Sequence, residues 1–563
     1  MTKAGTLSGG EAGRQRPAVR LWRRSSPPGD GKGLPGAGKA RWALLSGLLA
    51  FLAFPPAGLA PLALVALVPL MRVVFDPAVR SSARAFRLGW LGAAGFFLLL
   101  LHWLLLLAND EVTIPGIMLP ALFVVAAYLG IYFGLASALA HWLGRRTRVP
   151  GELWLCLTWV LVDWLRSSGE IGFPWGGLGY AFARMPTVIQ IAAWTGVWGI
   201  TFWIVCVNAL VSLAWRRRVW RRLGLAAAVL AVIPPVFGAL SLRGADRSVR
   251  AVSPPGERSG SEAIDSDEIV ATLVQANTPR EIKWKVGYRK TVIDDLLAKT
   301  REAARDHDPD LIVWPETAAP IRIPWEKELA RSVQDTVAEL GRWVLVGTLD
   351  AKVLGPEEYE DYNAALLFTP TAEVRQRYYK RHLVPFGEIT PFKRMLPILA
   401  RLDFGQSEFT PGREATIFEG PKGARFRVLI CFESIFPELA REGVRDGAGV
   451  LVNITNDFWF GRSAGPLQHG DMAVLRAVEN RVPMLRCANS GLSFFVDPYG
   501  RVSQVTPLFT AGLPTAGVRP RAGGSPYTRH GDVGLAVIAG LLALGVVVGL
   551  AKPAAPGRAD VAG

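Results

Sequence analysis

Residues 425–434 read Arg-Phe-Arg-Val-Leu-Ile-Cys-Phe-Glu-Ser, an apolar run that ends in a cysteine and a nearby glutamate. A short apolar run rich in β-branched and aromatic residues predicts a buried strand, here 425–431. Strand ends commonly present catalytic groups in α/β folds. This stretch therefore predicts an α/β domain with a reactive cysteine at the edge of a sheet.

Two other segments place reactive side chains directly after strand-like runs: Trp-Pro-Glu-Thr at 314–317 and Tyr-Lys-Arg-His at 379–382. Alone, each signal is weak, because an acid after a strand is usually a cap, such a lysine usually faces water, and a strand-end cysteine is usually packing. Together, Glu316, Lys380 and Cys431 supply a proton acceptor, a cation and a nucleophile. That is the inventory for acyl transfer.

The chemistry assigns each of the three a separate role. A thiol with an ordinary pKa of about 8.5 needs help to ionise at neutral pH. Glu316 can take the thiol proton and later pass it to the leaving group. Lys380 can stabilise the thiolate and the oxyanion of a tetrahedral intermediate, with a backbone N–H after Cys431 as a second donor.

The surrounding segment, 243–531, alternates strand-like runs with helix-like stretches, as expected of an α/β domain. Helical spacing predicts helices over 292–306 and 326–341. The predicted strands are 269–275, 311–314, 344–347, 364–368, 425–431, 450–455, 484–488 and 493–496.

The sequence on both sides of this segment is strongly apolar. Half of the chain is hydrophobic and only 20% is charged, which makes a purely soluble fold unlikely. The run 42–71 is broken at Phe54-Pro55-Pro56 and predicts two short helices. With six further runs the pattern predicts eight membrane spans, the later ones at about 88–108, 114–141, 152–166, 188–214, 223–242 and 532–551.

Basic residues predict the orientation of these spans. The formal net charge is +16, but Lys and Arg cluster beside the apolar runs, which indicates membrane topology rather than nucleic-acid binding. Residues 1–41 carry nine basic and two acidic side chains, whereas the connection 109–111 is Asn-Asp-Glu. We therefore expect a disordered, basic cytoplasmic tail at 1–41, seven spans within 42–242, an external (in a bacterium, periplasmic) domain at 243–531, a last span at 532–551 and a cytoplasmic tail at 552–563.

No metal or cofactor is expected. The six histidines lack ligand spacing, and four cysteines are too few for a disulfide scaffold. The stretch 33–39, Gly-Leu-Pro-Gly-Ala-Gly-Lys, looks superficially like a phosphate-binding loop, but Ala follows the lysine and no strand precedes it.

The motifs WPET (314–317), YKRHLVPFGE (379–388), CFES (431–434) and NDFWFG (456–461) resemble the nitrilase superfamily of carbon–nitrogen hydrolases. The flanking spans, together with GPLQH at 465–469 and SPYTRHG at 525–531, are more specifically similar to the apolipoprotein N-acyltransferase family. The resemblance runs from about residue 42 to 551 and includes Phe173-Pro174-Trp175.

The resemblance implies an αββα sandwich on a multi-pass helical bundle in the bacterial inner membrane. It implies acyl transfer from a phospholipid to the α-amino group of the diacylglyceryl-cysteine of an apolipoprotein, through a thioester on the cysteine of a Glu316, Lys380 and Cys431 triad. We expect a monomer with no nucleic-acid partner and no cofactor.

The resemblance also implies accompanying residues. Glu388 and Glu433 match acids near the site, and Trp284 matches an aromatic on a mobile loop over the acyl pocket. Phe432 stands where well-known family members have tyrosine after the nucleophile. Trp459, with its neighbouring phenylalanines, is a candidate for the acyl tunnel, although plain core is the commoner role of such residues.

Two other functions remain open at this stage. A membrane-tethered amidase or nitrilase would use the same three residues, with water as the acceptor, on a small periplasmic substrate. A transporter or receptor would need charged midplane residues in matching broken spans, and the sequence contains no such pair.

Overall fold

The computed structural model describes residues 36–107, 116–246, 252–253, 267–322, 326–355, 358–391 and 408–551. The predicted tails, apart from residues 36–41, and the acidic connection 109–111 lie outside these residues. Apolar helices occupy the first part of the described chain, an α/β domain follows, and one further apolar helix comes last.

The helices of the first part occupy the predicted apolar runs. Among the described residues, five helical stretches are long and apolar enough to cross a bilayer: Ser82–Leu100, Met118–Arg146, Ala192–Arg217, Trp220–Ala245 and Val533–Ala551. The other predicted spans are helical but shorter. The helices are α1 Gly36–Leu52, α2 Val68–Val74, α3 Ser82–Leu100, α4 Met118–Arg146, α5 Gly151–Arg166, α6 Pro186–Ile189, α7 Ala192–Arg217 and α8 Leu225–Asp246.

The bounds of two helices, α1 and α3, differ from the hydropathy pattern. Helix α1 begins at residue 36, not 42, and its buried Lys39 pairs with Asp76 at 3.3 Å. Helix α3 begins at Ser82, where the hydroxyl of Ser81 caps it by accepting from the Arg84 N–H, and it ends at Leu100 rather than 108. The residues of a polar first turn and a capping hydroxyl are part of a helix but do not raise its mean hydropathy. A hydropathy pattern therefore misses them.

The α/β domain contains two sheets. The first has the order β1-β14-β2-β3-β5-β6-β7, with β4 beside β5, and the second has the order β13-β12-β11-β10-β9-β8. The strands are β1 Val252–Ser253, β2 Ile269–Leu273, β3 Leu311–Val313, β4 Ala319–Arg322, β5 Trp343–Val353, β6 Tyr359–Phe368, β7 Val374–Tyr379, β8 Phe418–Glu419, β9 Arg425–Ile430, β10 Val450–Thr455, β11 Met484–Ala488, β12 Phe494–Val496, β13 Val502–Ser503 and β14 Thr515–Val518.

All eight predicted strands are present within a residue or two, except that β5 and β6 extend into a long hairpin. Strands β4 (Ala-Pro-Ile-Arg) and β14 (Thr-Ala-Gly-Val) are absent from the apolar pattern because proline and glycine are poor strand formers. Strand β4 pairs with β5, and β14 pairs with β2. These pairings hold both strands in the sheet although their composition does not favour strands.

The two sheets face each other across an apolar core, with helices on both outer faces. This gives the expected helix–sheet–sheet–helix order. Helix α13 packs against the second sheet and also against membrane helix α7. The helices are α9 Arg280–Lys283, α10 Arg289–His307, α11 Lys327–Leu340, α12 Pro437–Arg445, α13 Gly465–Asn480, α14 Pro526–His530 and α15 Val533–Ala551.

Candidate active site

The ends of three strands bring the three predicted residues to one place. Glu316 follows β3, Lys380 comes directly after β7, and Cys431 directly follows β9. Strand β5 passes so close to the segment before Glu316 that a Cβ at Gly347 would lie 2.0 Å from the Pro315 carbonyl oxygen. Glycine is therefore required at this crossing.

Glu316 is held as an ionised carboxylate. Its Oε1 accepts from Asn363 Nδ2 at 2.8 Å and from Lys380 Nζ at 3.2 Å, and its Oε2 accepts from the Asn456 N–H at 2.8 Å. Burial alone would raise the pKa of Glu316, but the Lys380 charge and the Asn363 hydrogen bond outweigh it and leave the pKa lowered. The group can therefore accept a proton.

Lys380 is fully buried between two carboxylates. Its ammonium lies 3.2 Å from Glu316 and 2.9 Å from Glu388, and Glu388 also accepts from the Val384 N–H at 2.9 Å. Burial opposes the charge on Lys380, yet Glu316 and Glu388 together raise the pKa of Lys380 above its usual value. This lysine therefore stays an ammonium over the working pH range.

The thiol of Cys431 is the neutral member of the group. Burial raises its pKa and the Glu316 carboxylate raises it further, while Lys380 and a hydrogen bond with Thr455 act in the opposite direction. The resting thiol therefore keeps its proton, with a base and a cation acting on the same sulfur. Cys431 also begins a 3₁₀ turn, Cys431–Ile435, whose first N–H groups lack partners within the turn and can face an oxyanion.

The carboxylate of Glu433 binds a tyrosine hydroxyl and main-chain N–H groups, not the ammonium of Lys380. Its Oε1 accepts from Tyr378 Oη at 2.7 Å, from the Arg381 N–H at 2.8 Å and from the His382 N–H at 3.2 Å. Its Oε2 accepts from the Ile430 N–H at 2.8 Å. Glu433 therefore ties the strand end that carries Cys431 to the strand end that carries Lys380.

The aromatic candidates lie in different surroundings. Phe432 is buried and stacks on Phe173, in the connection between α5 and α6, at 6.3 Å between ring centroids. Trp284 follows α9 with 37% of its surface exposed. Trp459 is part-buried on the 3₁₀ turn Asp457–Phe460. The supporting role of Phe432 and the roles of Trp284 and Trp459 in an acyl pocket remain predictions.

Comparison with known proteins extends over both parts of the chain. Residues 46–210 match the family model of the apolipoprotein N-acyltransferase N-terminal domain, and residues 270–525 match that of carbon-nitrogen hydrolase. The apolipoprotein N-acyltransferase of Geobacter metallireducens is 35% identical over 515 residues, which are 89% of this chain and 94% of the relative. The chain belongs to the apolipoprotein N-acyltransferase family.

Other similar proteins cover different lengths of the chain. The apolipoprotein N-acyltransferase of Chlorobaculum tepidum is 33% identical over 89% of this chain and 95% of its own. Among solved structures, an amidase from Nesterenkonia sp. is 18% identical, covers 50% of this chain and 99% of its own, and has a TM-score of 0.37.

Three polar groups of the site escaped the sequence analysis. Asn363 and the main chain of Asn456 hold Glu316, and buried Lys283 donates from Nζ to the Glu316 carbonyl at 3.3 Å. Burial lowers the pKa of Lys283 to about 8, against the opposing charge of Glu316. The adjacent Trp284 marks this segment in the sequence, but no pattern separates Lys283 from its exposed neighbour Lys285.

Within the part of the chain that the structure describes, no group of three His, Cys, Asp or Glu side chains is placed to hold a metal ion. The carboxylate of Glu316, the ammonium of Lys380 and the thiol of Cys431 can perform proton transfer, charge stabilisation and nucleophilic attack.

Proposed function

We propose that the protein is an apolipoprotein N-acyltransferase that carries the acyl group on Cys431. It takes an acyl chain from a phospholipid and delivers it to the α-amino group of the diacylglyceryl-cysteine of a lipoprotein. The observation that carries this proposal is the ammonium of Lys380, buried between Glu316 and Glu388 beside a thiol on a domain packed against membrane helices. The two family matches support both halves of the arrangement.

In the first step, Glu316 takes the proton of the Cys431 thiol, and Sγ attacks the ester carbonyl carbon of the phospholipid. Lys380 and the N–H groups at the start of the turn stabilise the oxyanion. The carbon–oxygen bond to glycerol then breaks, and the leaving oxygen takes the proton from Glu316. The products are a thioester and a lysophospholipid.

In the second step, the neutral amine of the lipoprotein attacks the thioester carbon and gives a proton to Glu316. The carbon–sulfur bond breaks, and Sγ leaves as a thiolate and recovers that proton. The enzyme returns to its first state, which makes the reaction ping-pong. Water must stay out between the steps because it would hydrolyse the thioester.

We further propose a topology of eight spans, with seven between residues 42 and 242 and one at 532–551. Both termini are cytoplasmic and the domain 243–531 is periplasmic, because arginines follow every second crossing. Examples are the clusters 145–148 and 216–222. The protein acts as a monomer without a cofactor. Reporter fusions after α4 and within the domain test this orientation, and a cytoplasmic domain would contradict it.

The proposal is tested by incubating the purified full-length protein with labelled phospholipid and analysing the Cys431 peptide by mass spectrometry. We expect a thioester that disappears as a diacylated lipopeptide becomes triacylated. Cys431→Ala should accumulate in membranes and form no adduct. Cys487→Ala is the matched control, because Cys487 is a buried cysteine on β11.

Failure of folded protein to form the adduct contradicts the proposal. Release of ammonia from small amides by that same protein, with phospholipid ignored, would assign the site to an amidase instead.

A further inference from the structure

The backbone of the nucleophile is strained. Cys431 has a φ of +50°, in the left-handed region, where its Cβ comes too close to the following carbonyl oxygen. Such a conformation persists only where the surroundings hold it. Hydrogen bonds to the Cys431 carbonyl oxygen hold this conformation. Ser434 Oγ donates to this oxygen at 2.9 Å, and Asn453 Nδ2 lies 3.5 Å from it.

A buried histidine contacts the same oxygen. Nε2 of His469, a residue of α13 that is 1% exposed, lies 3.2 Å from the Cys431 carbonyl oxygen and 3.1 Å from Ser434 Oγ. A carbonyl oxygen only accepts hydrogen bonds, so this contact is a hydrogen bond when the ring carries hydrogen on Nε2.

The other ring nitrogen lies between opposite charges. Nδ1 of His469 is 2.9 Å from Asp457 Oδ1 and 3.1 Å from Arg486 Nη2, and Arg486 donates to Asp457 Oδ2 at 2.7 Å. Burial and the Arg486 charge lower the pKa of His469, which favours the neutral ring. With its hydrogen on Nε2, the neutral ring accepts at Nδ1 from Arg486. Nδ1 and Asp457 Oδ1 are then two acceptors 2.9 Å apart, and the Arg486 guanidinium, which donates to both groups, screens their repulsion.

The residue before this histidine contacts the connections between the helices of the membrane domain. Gln468 Oε1 accepts from the indole N–H groups of Trp175 at 2.8 Å and Trp103 at 3.2 Å. Its Nε2 donates to the Pro55 carbonyl at 2.9 Å. Two successive residues of α13 thus bind the membrane domain and the nucleophile's backbone.

We propose that His469 is a positioning residue, which holds the Cys431 carbonyl through Nε2–H, and that Gln468 fixes His469 to the connections of the membrane domain. The orientation of the thiol and of the adjacent N–H groups then depends on the membrane domain. This inference rests on the proposed function, since it concerns the rate at which Cys431 is acylated.

The test measures the single-turnover rate of thioester formation in the full-length enzyme. We expect His469→Leu to lower this rate about 50-fold, because it removes a donor that orients the reacting group. His469→Gln keeps an N–H donor and should recover to within about fivefold of the wild-type rate. The fall should be in kcat, with KM for phospholipid unchanged, and iodoacetamide should alkylate the Cys431 thiol at a rate within about threefold of wild type.

His141→Leu is the matched control, since it removes a buried imidazole that contacts the Val79 carbonyl within the membrane helices. Its acylation rate per folded molecule should equal that of wild type. If His469→Leu fails to accumulate, Ser434→Ala removes the other short hydrogen bond to the Cys431 carbonyl and should slow acylation about fivefold.

The coupling to the membrane domain is tested by Gln468→Met, alone and combined with His469→Leu. We expect Gln468→Met alone to lower the rate of thioester formation about tenfold. The double variant should be no slower than His469→Leu, because both substitutions act through the position of the His469 ring.

The proposal is overturned by a glutamine variant as slow as the leucine variant, by wild-type rates in His469→Leu or Ser434→Ala, by a raised KM at unchanged kcat, or by independent effects of the Gln468 and His469 changes. A wild-type protein that forms no thioester would contradict the proposed function, not the positioning role alone.

Discussion

The segment around Glu388 and the turn around Glu433 differ in what their carboxylates bind, although the sequence suggests the same supporting role for both. Glu388 lies against the ammonium of Lys380 at 2.9 Å. Glu433 instead accepts from Tyr378 and from main-chain N–H groups of two strand ends. One acid therefore sets the charge of the site, and the other holds its backbone. Nearness to a nucleophile does not distinguish these roles, but the hydrogen-bond partners do.

The largest effect should come from Lys380, the centre of the charged region. Lys380→Met removes the cation that faces the thiolate and the oxyanion and leaves Glu316 and Glu388 without it. We expect thioester formation to slow about 1,000-fold. The measurement is single-turnover labelling of Cys431. Lys290→Met, on an exposed lysine paired with Asp294, should retain the wild-type rate.

The two glutamates can be compared directly by the same substitution. Glu388→Gln should slow acylation about 30-fold with little change in unfolding temperature, because it removes a charge but keeps the shape. Glu433→Gln should destabilise the fold by about 3 kcal/mol, because its amide cannot accept from every N–H that the carboxylate binds. Thermal unfolding in detergent and the rate per folded molecule are the two readouts. Equal rate losses at unchanged unfolding temperature would remove the distinction.

Alkylation of Cys431 gives a smaller and more specific signal. The Glu316 carboxylate raises the pKa of the thiol, so Glu316→Gln should lower that pKa and speed reaction with iodoacetamide at pH 8 about tenfold. Acyl transfer should nevertheless be lost, because the proton acceptor is gone. Glu339→Gln, at an exposed glutamate paired with Arg301, serves as the control and should leave the alkylation rate unchanged. Slower alkylation in Glu316→Gln would show that the carboxylate does not act on the sulfur in this way.

The smallest effect concerns Lys283. Burial lowers the pKa of Lys283 to about 8, below its usual value near 10.5. Between these two values the unfolded chain binds more protons than the folded one. The free energy of unfolding should therefore increase as the pH is raised from 8 to 10. Lys283→Met should remove this increment, seen as a shallower dependence of unfolding temperature on pH. An identical pH dependence in the variant would contradict a buried amine at this position.

The nearness of Glu316, Lys380 and Cys431 could be predicted because each directly follows an apolar run, and because their chemistry is informative in combination. The structure brings all three together, and their catalytic roles stay predictions. Asn363 lies within β6 and Lys283 in a short helix, and only the tertiary fold carries their side chains to the carboxylate and to the main-chain carbonyl of Glu316, respectively.

Helix ends were harder to predict than helices. Hydropathy reports the part of a helix that lies in an apolar environment, whereas α1 and α3 begin in polar turns fixed by Lys39 and Ser81. The order of the strands within the two sheets likewise depends on contacts between distant segments.

The pairing of β14 with β1 and β2 means that the last strand of the catalytic domain lies beside its first strands. The chain therefore leaves the domain close to where it came in. Domains with adjacent ends can be inserted into a host protein without pulling its flanking elements apart. Adjacent ends therefore allow the helices on either side of the sandwich, α8 and α15, to pack in one bundle, where both contact α7.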